Sequence, residues 1–285
     1  METRRLGKTE HMSSIIALGG AALWEIDQDV ADAAIEIAIE HGVNHIDVSP
    51  IYGQAEKHIG SWLSRSKKKV FLACKTRERG KTEAWDSLQR SLETLKVDSF
   101  DLFQLHGVDD IETLNVALGS EGALEAIFEA KRQGMVRFIG ITGHRPYVHN
   151  EALNRFDFDT VMFPLNRVHA AHRNDWNNFL PLLKIARQKN VGVMAIKSIA
   201  KRPWEGTSRS YHTWYEPFDE VAEIEKSLWY TLSQDIATAV MSGDLQLWPK
   251  IIDAAERFKP LNEEEQKEVV SQVMQYHPIV APDRV

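Results

Sequence analysis

Eight short apolar runs alternate with longer amphipathic stretches from one end of this chain to the other, and no other feature limits its fold so strongly. The runs lie at 13–20, 43–49, 70–76, 101–106, 137–142, 160–165, 191–198 and 236–243. They are rich in β-branched residues and almost continuously apolar, the pattern of parallel strands covered on both faces. Between them, apolar residues recur at helical spacing over 29–40, 55–64, 81–95, 121–133, 175–189, 220–233 and 249–258. Glycine stops such as His41-Gly42 and Gln133-Gly134 follow these stretches. The early runs recur about every 30 residues, the length of one strand-plus-helix unit. Eight such units predict an α/β protein built as a (β/α)8 TIM barrel rather than an open sheet. No Pro/Gly/Ser-rich linker or low-complexity tract interrupts them, so a single domain is expected over residues 1–285.

Three of the early runs carry an ionisable group at the end that a barrel turns toward its mouth. Asp47 stands in HIDVSPIYG (45–53), which also holds Tyr52; Lys75 stands in FLACKT (71–76); His106 closes DLFQLH (101–106). Taken singly, an aspartate in such a loop is usually a turn or cap, and a tyrosine usually packs. Together, on three consecutive strands, an acid, a phenol, an amine and an imidazole make a proton-transfer site. Adjacent strands lie about 4.8 Å apart, so Asp47 can hold Lys75 and keep it charged. The ammonium is expected to lower the pKa of Tyr52 from its usual value near 10. His106 would hydrogen-bond a substrate carbonyl. The chemistry expected is reduction of a carbonyl compound, with the proton coming from Tyr52.

These residues and their surroundings resemble the aldo-keto reductases, in particular bacterial members with a lysine on the seventh strand. That family has an Asp closing the second strand, a Tyr-Gly shortly after, a Lys closing the third strand and a His closing the fourth. Here they are Asp47, Tyr52-Gly53, Lys75 and His106. The opening RRLGKTEHMSSIIALGG, the segment QGMVRFIGIT and the seventh run GVMAIKSIA fit as well, so the likeness covers nearly the whole chain. The resemblance implies catalysis by Tyr52, Asp47, Lys75 and His106 on a small-molecule carbonyl substrate. It implies NADPH, with NADH the alternative, bound without a Rossmann motif. Cofactor contacts would fall to Gly20, Asp47, Thr142, Asn166, Lys197, Ser198, Ser242 and Gly243. Backbone amides of Ser242 and Gly243, close to the following helix, suit phosphate.

The chain departs from the family at several of these places. Thr142-Gly143 replaces the usual Ser-Asn, Met162 stands near the usual Gln, and Ile196 takes the place of a stacking aromatic ring. Lys197 follows, where it would meet cofactor pyrophosphate, a substrate anion or a salt-bridge partner on the rim. The loop 241–250 offers Lys250 as its only cation, with Asp244 nearby, so no preference for a 2′-phosphate is evident.

The longest irregular stretch, 200–219, carries Trp204, Tyr211, Trp214, Tyr215 and Phe218. Loops of this length inside a compact domain are usually functional. It is expected to form a flap over the mouth, with a surface excursion or a subunit contact as the alternatives. Trp24, Trp204 and Trp214, with Tyr52 and His106, are the expected substrate contacts. Trp62 and Trp85 are expected to pack within helices, and 261–275 reads as an amphipathic helix with an acidic solvated face.

Composition narrows the remaining options. With 34 Lys and Arg against 41 Asp and Glu, the net charge of −7 argues against nucleic acid as a partner. No stretch is apolar enough for a bilayer span and METRRLGKTEH lacks a signal-peptide core, so no membrane contact and a cytoplasmic location are expected. The sole cysteine, Cys74, lies in an apolar run and reads as a buried inert thiol. His144, His149, His169 and His172 lack metal-ligand spacing, and no metal is expected. Two other functions fit the same barrel: a Schiff-base lyase using Lys75, and a non-catalytic nicotinamide-binding regulatory subunit resembling the potassium-channel β-subunits. The oligomeric state is left open.

Overall fold

In the computed structural model, which describes residues 1–279, eight parallel strands close into a barrel in chain order. They are β1 (Ile16–Gly19), β2 (His45–Asp47), β3 (Phe71–Thr76), β4 (Phe100–Leu105), β5 (Val136–Thr142), β6 (Thr160–Pro164), β7 (Gly192–Ile196) and β8 (Thr238–Val240). Ala239 of β8 stands opposite both Ala195 of β7 and Ile16 of β1, which closes the ring and removes the sheet edges. Around it lie α1 (Gln28–Glu40), α2 (Ala55–Arg65), α3 (Lys81–Leu95), α4 (Ile111–Leu118), α5 (Ala123–Arg132) and α6 (Pro146–Arg155). The second half of the chain adds α7 (Arg167–Ala171), α8 (Leu180–Gln188), α9 (Val221–Leu232), α10 (Trp248–Glu256) and α11 (Glu263–Ser271).

Because strand side chains alternate, the strands feed two separate apolar clusters, except that β2 gives only Ile46 to the outer one and turns His45 and Asp47 inward. Ile46, Leu72, Cys74, Phe103, Ile139 and Val161 point outward and pack under the helices. Ala17, Phe71, Ala73, Leu102, Met162 and Met194 fill the barrel interior. The helices meet the outer cluster with one stripe each: α3 buries Ala84, Leu88, Leu92 and Leu95, one or two turns apart. Inside, small residues share a level with the site. Asp47 pairs in register with Ala73, and Lys75 with Gln104, so Asp47 shares its level with a small side chain and Lys75 with an amide.

The N-terminal end of the barrel is sealed. The run read as one strand over 13–20 divides in two. Met12–Ser14 pairs with Thr3–Arg5 in a hairpin across the bottom, and the barrel strand begins at Ile16. Ser14 holds the break through reciprocal bonds with Asn44: the Ser14 amide donates to Asn44 Oδ1 at 2.8 Å, and the Asn44 amide donates to Ser14 Oγ at 3.1 Å. Between the hairpin strands, Leu6 is fully buried within the inner cluster.

Three helices, α4, α6 and α7, do not stand out in the sequence. All are short, and their beginnings rather than their periodicity define them. Asp110 caps α4 by accepting from the Thr113 amide at 2.6 Å, Asn166 caps α7 by accepting from the His169 amide at 2.8 Å, and Pro146 opens α6. The stretch expected as helix from 175 becomes helical only at Leu180, because Asn174 and Asn177 bond their own neighbourhood first. The expected terminal helix is present as α11, with a capping box from Asn262 and Glu265. Among the described residues no helix is long and apolar enough to cross a membrane.

Candidate active site

The C-terminal mouth of the barrel holds a cavity of about 310 Å³. Asp47, Tyr52, Lys75 and His106 all line it, joined by Arg77 and His144. Asp47 and Lys75 are almost completely buried and hydrogen-bonded to each other, with Lys75 Nζ donating to Asp47 Oδ2. Gln104 Nε2 donates to the other carboxylate oxygen at 3.2 Å. Gln104 was not singled out in the sequence, although its place in DLFQLH, two residues before His106, puts it on the same inward face.

Tyr52 comes from the turn after β2, and its neighbour fixes that turn. Gly53 has φ +54, and a Cβ there would fall 2.8 Å from both Cδ1 and the carbonyl oxygen of Trp24. Only glycine takes that conformation against that wall without strain. The Tyr52 amide donates to Ser49 O at 3.0 Å, and Lys75 Nζ lies 5.2 Å from the centre of the phenol ring. His106 meets the same ring edge-on, with centroids 6.1 Å apart, while its Nδ1 lies 3.2 Å from Ser49 Oγ. Arg79 steadies this corner by donating to the carbonyl oxygens of His106 and Gly107 at 2.6 and 3.0 Å.

Burial and charge set the protonation states. Burial works most strongly against the Lys75 ammonium, but Asp47 and Tyr52 together more than compensate and the pKa rises. Lys75 is therefore charged, whereas a Schiff-base nucleophile needs the neutral amine. The net shift of Tyr52 is also upward, opposite to the sequence expectation: burial raises it most, Asp47 adds to that, and the Lys75 ammonium pulls it down. The phenol thus keeps its proton, and the ammonium offsets part of what burial would cost a phenolate. His106 lies well below the ordinary histidine value, first through burial and then through the charges of Lys75 and Arg77. It is a neutral imidazole, able to donate through one nitrogen.

The fifth-strand departure has a structural cause. A Cβ on Gly143 would lie 2.6 Å from Asp109 Oδ1 and 2.8 Å from His149 Nε2, so no side chain fits there. Asp109 instead holds His144, accepting from its backbone amide and lying 2.9 Å from its Nδ1 through Oδ2. This dyad was also not foreseen; the only sign of it is a run of polar residues after two consecutive strands.

Of the expected cofactor residues, Asp47, Thr142, Lys197, Ser242 and Gly243 line the cavity. Gly20, Asn166 and Ser198 stand outside that lining. Asn166 Nδ2 donates to Lys197 O at 3.1 Å, which ties α7 to the end of β7. Lys197 itself has φ +62, a conformation that costs a non-glycine residue energy and holds its side chain over the cavity. Its Nζ lies 5.9 Å from the Tyr215 ring, and no carboxylate forms a salt bridge with it among the described residues. Burial lowers its pKa to about 8. In the eighth-strand loop, Lys250 is committed to Asp219 O at 2.7 Å, and Asp244 accepts from the His212 and Gln246 amides.

The segment 200–219 is an ordered flap. Ala200–Arg202 pairs antiparallel with Glu216–Pro217, and Glu216 bridges Lys201 and Arg202 at 2.7 Å each. Trp214 and Tyr215 line the cavity, and the Trp214 ring lies 6.0 Å from that of Tyr52. Trp24 packs behind Trp214, edge-on at 6.4 Å, outside the lining. Trp204 also stands away from the cavity: its indole N–H donates to Thr213 O at 2.7 Å and staples the flap. Cys74 is fully buried, and burial beside Glu56 drives its thiol pKa well up.

A family model described as the aldo/keto reductase family matches residues 15–277. The oxidoreductase YqkF of Bacillus subtilis is 27% identical over 96% of this chain and 97% of its own length. L-galactose dehydrogenase of Arabidopsis thaliana is 30% identical over 70% of this chain and 66% of its own. Among solved structures, the holo form of aldo-keto reductase AKR11C1 from Bacillus halodurans superposes over the full length of both chains, at a TM-score of 0.74 and 23% identity. A Bombyx mori aldo-keto reductase in complex with NADP superposes over 97% of this chain and 95% of its own, at a TM-score of 0.71 and 18% identity.

Proposed function

Because the chain belongs to the aldo/keto reductase family of oxidoreductases, we propose that it reduces an aldehyde or ketone to the alcohol, using NADPH or NADH. One observation carries this reading: a protonated phenol, a charged lysine held by a buried carboxylate and a neutral imidazole share one cavity at the barrel mouth.

The cavity suits a nicotinamide dinucleotide on its β7–β8 side, where the Lys197 ammonium has no carboxylate partner among the described residues and Ser242 and Gly243 line the rim. Thr142 and Asp47 border the same space, while Asn166 fixes the backbone of that wall from behind through its bond to Lys197 O. When bound, the cofactor supplies hydride to the carbonyl carbon. Tyr52 gives its hydroxyl proton to the carbonyl oxygen as that oxygen gains charge. The C=O double bond becomes a C–OH single bond, and the phenolate left on Tyr52 recovers a proton from water. Lys75 stabilises that phenolate, and Asp47 with Gln104 keeps Lys75 charged and in place. His106 donates a hydrogen bond that orients the carbonyl toward Tyr52. The flap, with Trp214 and Tyr215, excludes water and offers flat apolar surface to the rest of the substrate.

Titration with NADPH and NADH by nicotinamide fluorescence, followed by an aldehyde and ketose panel, tests this. Cofactor binding with consumption of reduced cofactor on at least one carbonyl class supports it. Binding without turnover on any of them would turn the reading toward a non-catalytic subunit.

A further inference from the structure

The cavity holds more positive charge than its chemistry uses. Asp47 balances Lys75. Asp109, beside the cavity, bonds His144, and its field also reaches Lys197 and Arg79. Arg77 is left over: it lines the cavity, is largely exposed there, and forms no salt bridge or hydrogen bond among the described residues. It does not simply extend into bulk water. Its side chain lies over Gly107, with Nε 3.8 Å from where a Cβ would stand, so the missing side chain makes a seat for it beside His106. Tyr52, His106 and His144 all feel its positive charge. This cation faces the reacting groups in a chain whose net charge is −7, where nonspecific attraction of anions is absent.

The position separates Arg77 from the cofactor. Lys197, Ser242 and Gly243 lie at the ends of β7 and β8, whereas Arg77 follows β3, across the barrel, beside the imidazole that meets the carbonyl. Resting on the carbonyl-reductase reading, the geometry points to a substrate that carries an anionic group, a carboxylate or a phosphate, close to its carbonyl, with Arg77 as the residue that grips the anion. A guanidinium takes carboxylate and phosphate oxygens in a two-pronged hydrogen bond, which fixes orientation as well as affinity. An anionic substrate gains a charge-assisted hydrogen bond from this cation that a neutral carbonyl cannot, which builds in discrimination between them.

Matched probes test this: 4-formylbenzoate against its methyl ester, and glyceraldehyde 3-phosphate against glyceraldehyde. The wild-type enzyme is expected to prefer the anionic member of at least one pair by about tenfold or more in kcat/KM, the range of a charge-assisted hydrogen bond. Arg77→Gln should collapse that ratio toward one, and Arg77→Lys should restore part of it. The Kd for NADPH, read by fluorescence, should change less than about twofold because the two sites are on opposite sides of the mouth. Whichever pair shows the preference tells carboxylate from phosphate. A wild-type ratio near one for both pairs, an unchanged ratio in Arg77→Gln, or an equal loss of NADPH affinity would overturn the inference. Calorimetry with the alcohol 4-(hydroxymethyl)benzoate keeps the two readings apart: Arg77-dependent binding without turnover of any probe would sink the reductase reading and leave the anion site standing.

Discussion

His45 and His106 stand at opposite ends of the same barrel, and both are neutral for the same first reason, burial; yet one is sealed in and the other faces chemistry. At the closed end, burial together with the nearby His11 and Lys75 charges pushes His45 down to about 3. It is fully buried, with Nδ1 3.0 Å from Ser13 Oγ and the Phe71 ring packed at 4.8 Å. Leu6 is fully buried in the inner apolar cluster at this end, and the N-terminal hairpin runs across it. At the open end, His106 borders a cavity of about 310 Å³ shared with a phenol, an ion pair and two cations that form no salt bridge among the described residues. The residue type and protonation state are alike. What differs is enclosure: the surroundings seal His45 in, with its Nε2 buried and unpartnered among the described residues, and leave His106 turned toward open space. In a barrel this follows from strand polarity, because loops that can vary their chemistry gather at the C-terminal ends while the other end serves stability.

The sharpest way to break the comparison is to remove the charge at the open end. Lys75→Met is expected to lower kcat by about 10²- to 10⁴-fold, the range of a lost acid–base contribution. It also strands the Asp47 carboxylate, which is only 2% exposed, and so destabilises the fold. The double variant Asp47→Asn/Lys75→Met removes both charges; it should fold better than Lys75→Met and be no slower, since the pair acts as a unit. Losses that simply multiply would mean that Asp47 and Lys75 work separately.

At the closed end the same scale of free energy should appear in stability instead. Leu6→Ala is expected to cost about 2–5 kcal/mol in denaturant unfolding, as for a fully buried leucine, with kcat below the unfolding transition unchanged within about twofold. A large fall in kcat without a stability loss would show that the two ends are coupled. The smallest effect belongs to the flap. Trp214 is 54% exposed, so Trp214→Ala should raise KM for aromatic carbonyls by roughly three- to tenfold, with the affinity for cofactor little altered. An unchanged ranking across substrates would make the flap a structural or oligomeric element.

Much of this was legible in the chain because periodicity carries long-range information. Continuous apolar runs with a polar group at the end sufficed to place Asp47, Lys75 and His106 on one mouth, since strand direction and alternation determine where an end residue points. The helices α4, α6 and α7 escaped because a local start signal, a capping Asp110 or Asn166 or the opening Pro146, defines each more than an apolar stripe does. Gln104 and the Asp109–His144 dyad escaped for a different reason: their roles come from pairing across strands, and spacing along one strand does not reveal it. The upward shift at Tyr52 was missed because burial is a property of the whole assembly, and here it outweighs the ammonium that the sequence does disclose. Trp204 and Trp214 look alike in sequence, and only the flap's hydrogen bonds separate the staple from the ring that lines the cavity.

Tyr52 as the proton donor is tested most directly by Tyr52→Phe, with one heavy atom removed. Turnover of the best carbonyl substrate should be measured alongside the Kd for reduced cofactor, because the ring keeps its packing against His106 and Trp214 while the hydroxyl is lost. The expected result is a fall in kcat of about 10²- to 10⁴-fold with cofactor affinity within about twofold of wild type. Wild-type turnover in Tyr52→Phe would contradict the account and move the proton source elsewhere in the cavity.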